Sequence, residues 1–147
     1  MLEKDDIMAQ PNKKKGLSKE EINAMKDYLK EKNSKNDGEG VVLAAIAKLP
    51  EPDRSLANGV HAIIKKNFPD LTYKTWYGFP AYMKQDKLIC FFQYASKFKS
   101  RYSTLGFTDK ADLDEGHMWP VTYAVTKLTA AEEAKITTLV RKAIGER

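Results

Sequence analysis

The stretch that most limits the fold is "KLICFFQY" at 87–94, which follows the turn-forming pair Gln85–Asp86. In an extended chain, successive side chains point to opposite faces. Ile89 and Phe91 then point one way, and Leu88, Cys90, Phe92 and Tyr94 the other. Both faces are apolar, so the strand must be covered on both sides, which places it in the middle of a sheet. Neighbouring strands are expected at 72–77 and 81–84, then at 100–105 and 121–126, where "VTYAVT" alternates with Val121, Tyr123 and Val125 inward. Gln85–Asp86 reads as a tight hairpin turn between 81–84 and 87–94. "GFP" at 78–80 predicts a turn or bulge, because Gly78 and Pro80 do not both suit a regular central ladder.

Helices surround this β-rich region. "SKEE" places Ser18 as N-cap with Glu21 reaching back, and Ile22, Met25, Tyr28 and Leu29 continue at helical spacing over 18–32. "NSKNDGEG" at 33–40 reads as a linker, and "VVLAAIAKL" at 41–49 as a short buried helix stopped by "PEP". A third helix is predicted over 53–67, with Leu56, Val60, Ile63 and Ile64 inward and His61 at the boundary. Gly59 within it implies a close neighbour, since glycine there costs about 1 kcal/mol relative to alanine. "TDKADLDEG" at 108–116 reads as a short acidic helix. The last helix has a second capping box, Thr129 with Glu132. It also has an apolar stripe, Ile136, Leu139, Val140, Ala143 and Ile144, and a stop at Gly145. The expected class is therefore α+β, and the family resemblance described below makes it a two-layer sandwich of an antiparallel sheet packed on helices. The expected organisation is a flexible tail at 1–17, a helical extension at 18–49 and the main domain at 50–147.

Composition narrows the function classes. A chain of 147 residues buries a core without disulfides, and its single cysteine excludes an internal disulfide or a cysteine-based zinc cluster. The opening lacks the apolar region of a secretion signal, and no run is long enough to span a membrane, so the expected location is the cytoplasm and no membrane partner is expected. The net charge of +5 is uneven, because residues 1–40 balance and the excess falls in 41–147. Basic residues dominate Lys84–Arg101, opposed there by Asp86 alone.

The run "KTWYGFPAYMKQDKLICFF", with "RYSTLGF", "MWPVTYAVTKL" and the closing helix, resembles the YdhG-like family of small bacterial domains of unknown function. Trp76, Gly78 and Pro80 before a hairpin carry the resemblance, which covers about residues 52–145. It implies a two-layer α/β sandwich similar to secretion-chaperone folds. One branch of that family is assigned an iron-chaperone role likened to frataxin. This chain departs from that role in being basic overall and lacking an acidic ridge.

Chemistry has few candidates. Cys90 sits mid-strand with no local cue for activation, where a thiol is ordinarily inert packing. Gly38, Gly40 and Gly59 do not form a phosphate loop, and Ser103 and Thr104 lie in no nucleophile elbow. No cofactor and no catalytic residue is expected; an enzyme using Cys90 or a histidine is the second alternative reading. Asp109, Asp112, Asp114, Glu115 and His117 could hold a cation as an iron or metal chaperone, the first alternative, although an exposed acidic helix explains them as well. The leading expectation is a non-enzymatic binding module for a small anionic molecule or a protein segment, with nucleic acid ranked below both for want of a motif. Its expected site combines the rings of Trp76, Tyr82 and Tyr94 with Lys97, Lys99 and Arg101. The plainer reading of those cations is a solubilised sheet edge.

Overall fold

The computed structural model describes residues 18–34 and 38–146. The tail expected at 1–17 and the centre of the linker lie outside that range. Among the described residues three helices come first, α1 (Lys19–Ser34), α2 (Glu39–Ala47) and α3 (Asp53–Asn67). The strands are β1 (Thr72–Trp76), β2 (Phe79–Lys84), β3 (Lys87–Gln93), β4 (Ser103–Phe107) and β5 (Thr122–Val125). A short helix α4 (Ala95–Phe98) joins β3 to β4, and α5 (Ala130–Ala143) closes the chain. The sheet order is β1-β2-β3-β4-β5, antiparallel throughout, with β3 in the centre. The molecule is an α+β sandwich with N-terminal helices.

Two tight turns set the register. Tyr77 and Gly78 both have positive φ, 53° and 83°, and Trp76 pairs with Phe79 across them. Gln85 and Asp86 do the same at 50° and 67°, closed by Lys84 and Lys87. Two consecutive positive φ values match the right-handed twist of the flanking strands. The expected break at 78–80 is thus confined to the turn. Pro80 lies inside β2, opposite Thr75 of β1, and is not part of the β2–β3 register. An irregularity falls further along instead: Tyr82 pairs with Cys90 but Met83 pairs with Leu88, so Ile89 is the extra residue. That slip interrupts the strict alternation expected for β3 and accounts for Ile89 and Cys90 both being buried.

The face bearing Tyr82, Cys90, Phe92, Leu105 and Val125 lies under the helices and is essentially dry. Val60, Ile63 and Ile64 of α3 and Ile136, Val140 and Ala143 of α5 complete that core. Burying such side chains stabilises by about 1.5–3 kcal/mol each. On the opposite face Trp76, Phe79 and Phe91 pack ring against ring, with centroids 5.1 to 6.0 Å apart. Gly106 lies beneath the Phe91 ring: a Cβ there would meet ring carbons at 2.5 and 2.7 Å. The expected crowding at Gly59 is also present, against the Leu128 side chain.

Four expectations need correction. Helix α2 is not buried all round: Val42 and Ile46 face the core, whereas Leu43 is exposed. The strand expected at 100–105 begins at Ser103, because 95–98 turn into α4 and Lys99 is left-handed, with φ 54°. Residues 108–116 form no helix. Ala111 and Leu113 are buried two residues apart, and the Asp112 amide donates to the Ala143 carbonyl at 2.8 Å, so an extended segment is pinned against α5. Val121 is exposed and β5 starts one residue later, leaving Val125 as its buried residue.

Candidate functional site

The six residues expected to share one site are divided by the fold. Tyr82 is on the helix-covered face and fully buried. Trp76 belongs to the ring cluster of the other face. Tyr94 is buried and its hydroxyl donates to the Gly78 carbonyl at 2.7 Å, which ties the end of β3 to the first hairpin turn. Lys97 pairs with Asp27 of α1, and Lys99 with Glu20 of the same helix at 3.1 Å. Arg101 lies at a cleft, and Lys99 is largely exposed beyond its pairing with Glu20. The N-terminal helix therefore packs on the domain and answers two of the three cations.

Arg101 lines a cleft of about 360 Å³ together with Gln93, Ser100, Tyr102 and Thr104. Gln93 and Thr104 are partners across β3 and β4, so their side chains share one face of the sheet. The same face carries Phe91, two pairs further along. The Arg101 guanidinium lies 5.2 Å from the Tyr102 ring centroid, which holds a planar fork of donors at the rim. The lining residues supply an amide, three hydroxyls and one cation, with no carboxylate among them. Such a set can donate to an acceptor-rich, negatively charged group. Of these five, sequence reasoning reached only Arg101. The polar positions of Gln93 and Thr104 on otherwise apolar strands were the available signal.

A second polar constellation lies in the core. His61 of α3 is buried rather than at the boundary. Its Nε2–H donates to the Glu39 carboxylate at 2.8 Å, and Nδ1 lies 3.0 Å from the Tyr82 hydroxyl. The neutral ring satisfies both contacts, donating through one nitrogen and accepting the phenol O–H at the other. Lys65 donates to Glu39 Oε1 at 3.1 Å, and its ammonium lies 3.0 Å from Oε2. His61 and then Lys65 hold the Glu39 carboxyl below its ordinary range. Burial pushes the Tyr82 phenol well above its own. Tyr73 packs edge-on against both rings. The chain runs from a partly exposed carboxylate to a dry phenol and locks α2, α3 and β2 together.

Cys90 is fully buried, and burial pushes its thiol up to about 12. Such a thiol is not an available nucleophile. Among the described residues, no three histidine, cysteine, aspartate or glutamate side chains gather in a group that could hold a metal. Asp109, Asp112, Asp114, Glu115 and His117 are all exposed along the extended segment. Glu115 points to Lys142 at 3.6 Å. A buried carboxylate, Asp53, accepts from the Ser96 amide at 2.9 Å and lies 3.5 Å from the Ser103 hydroxyl, which fixes the start of α4 on the start of α3. No helix is long and apolar enough to cross a membrane among the described residues.

Comparison with family models, with curated proteins and with solved structures returns no match for this chain.

Proposed function

We propose that the chain is a non-enzymatic binding module for a small anionic ligand, taken up at the Arg101 cleft. One observation carries this reading: Arg101 has no acidic neighbour among the cleft residues, whereas Lys97 and Lys99 are each met by a carboxylate of α1. A guanidinium held over a ring, beside hydroxyls and an amide, suits a carboxylate or phosphate through paired donors. The YdhG-like resemblance supports the sandwich and supplies no catalytic residue for it.

The test is an NMR-detected screen of small carboxylates and phosphates. Saturable shifts at Gln93, Arg101, Tyr102 and Thr104 are expected, and Arg101→Ala should abolish them while leaving thermal stability unchanged. Diffuse, non-saturating shifts over the exposed lysines would refute the assignment.

A further inference from the structure

The helices cover one face of the sheet, and the other face carries a short strip of mixed chemistry beside the Arg101 cleft. Side chains alternate along a strand. With Phe92 and Leu105 under the helices, Phe91, Gln93, Thr104 and Gly106 therefore belong to the other face. The register extends the strip onto β5. Gln93, Thr104 and Ala124 form one row, and Phe91, Gly106 and Thr122 the next. The first row starts in the cleft, because Gln93 and Thr104 line it with Arg101. Ala124 and Thr122 are exposed at the other end.

Side-chain size gives the strip its relief. The Phe91 ring leans from β3 across β4 onto Gly106, where a Cβ would meet its carbons at 2.5 and 2.7 Å. From the β1 and β2 side Trp76 and Phe79 hold it, with centroids at 5.1 and 5.6 Å. The ring is thus wedged in place, yet it stays only half-buried. Thr104, Thr122 and Ala124 beside it are short. Short side chains next to a fixed ring leave a shallow step, with methyl groups for a floor and the ring for a wall. Positions 104 and 106 are about 7 Å apart along a strand, which is room for one ring. Beyond Thr104 stand Arg101 and Tyr102, with the guanidinium 5.2 Å from the Tyr102 ring centroid. Hydrogen-bond donors therefore end the strip on one side and an aromatic ring on the other, and none of its residues is a carboxylate.

We propose that the ligand of the Arg101 cleft is a small anion carrying an apolar ring, a ring carboxylate or a ring phosphate, an assignment that rests on the anion reading of that cleft. The charged group meets the Arg101 fork, with Gln93 and Thr104 donating beside it. The ring covers Thr104 and Ala124 and meets Phe91 at its edge or face. An inorganic anion would answer the guanidinium and leave the step wet. A ring removes apolar area from water with few rotors to freeze, so it gains more from the step than a flexible chain of equal size.

The experiment titrates the full chain, by NMR, with two matched pairs of probes: acetate against benzoate, and inorganic phosphate against phenyl phosphate. Within each pair the ring is what is added. In at least one pair the ring compound should bind about tenfold tighter or more, as expected for apolar area buried on the step. Only the ring compounds should shift Phe91, Thr122 and Ala124, and the pair with the larger gain tells carboxylate from phosphate. Arg101→Ala should weaken every probe. Ala124→Gln, at an exposed position, lays a polar neutral side chain over the floor and should remove the difference within each pair. Saturable binding of acetate or phosphate at Arg101, with no gain from the ring in either pair, overturns the assignment and leaves the anion reading standing. A ring gain that survives Ala124→Gln, or ring-dependent shifts that fall elsewhere, also overturns it. No saturable binding by any probe overturns both readings.

Discussion

The Nδ1 atom of His61 lies 3.0 Å from the hydroxyl of Tyr82, across the interior between α3 and β2. Both side chains are buried, so neither has water as a ready substitute. Removing one partner from such a pair costs the desolvation of the other, about 1–3 kcal/mol. Tyr82→Phe is expected to destabilise by that amount in urea denaturation, and His61→Ala by more, because it adds a cavity. No loss with Tyr82→Phe would show that the hydrogen bond contributes nothing net.

The outer end of this chain predicts a pH dependence. Glu39 is held below its ordinary carboxylate range by His61 and then Lys65. A depressed folded pKa contributes stability above the unfolded value, about 4.3, and that stability is lost as pH falls through the folded value. Glu39→Gln should flatten the acid limb of the stability profile. An unchanged acid limb would place the controlling carboxylates elsewhere.

Cys90 offers a separate test of the core. Its thiol, raised to about 12, should resist iodoacetamide in the native protein and react only on unfolding. Cys90→Ser should cost about 1–3 kcal/mol, since it places a hydroxyl in a dry site between strands. Fast native alkylation would contradict the burial.

The Gln85–Asp86 turn is a place where the chain is not at its optimum. Both residues have positive φ, which costs a residue other than glycine or asparagine about 1 kcal/mol. Replacing the pair with Asn–Gly keeps the two-residue turn and relieves that cost. A rise in melting temperature is expected with no change in sheet register by NMR. A fall would show that the Gln85 or Asp86 side chain makes a contact worth more than the backbone relief.

What the sequence made legible was local. Both capping boxes form: Ser18 and Glu21 exchange hydrogen bonds at 3.0 and 2.9 Å, and the Glu132 carboxylate accepts from the Thr129 amide at 2.8 Å. The central position of β3 followed from its two apolar faces. The losses were long-range. His61 was placed at a boundary because Tyr82 and Glu39 lie 21 and 22 residues away in sequence. The pairing of Lys97 and Lys99 is not legible in the sequence, because Asp27 and Glu20 stand on a helix whose docking no local pattern encodes. The acidic run at 108–116 has helix-like charge spacing, but Ala111 and Leu113 enter the core with extended periodicity.

Asp53 tests whether a buried carboxylate can be a structural tie without being a catalyst. It sits in the first turn of α3, where a negative charge is favoured by the helix dipole. Its two oxygens face the Ser96 amide and the Ser103 hydroxyl, and Ser103 in turn accepts from the Ala95 amide at 3.0 Å. One side chain thus anchors the start of α4, the segment that delivers Lys97, Lys99 and Arg101. Asp53→Asn preserves the shape but turns one acceptor into a donor, which opposes the Ser96 amide or forces Ser103 to reorient. A loss of about 1–3 kcal/mol is expected. Amide exchange at Ser96 should rise more than at β3 or α5, because the damage is confined to the α4 start. Uniform loosening across the sheet would mean that Asp53 supports the core itself rather than the segment that carries the cations.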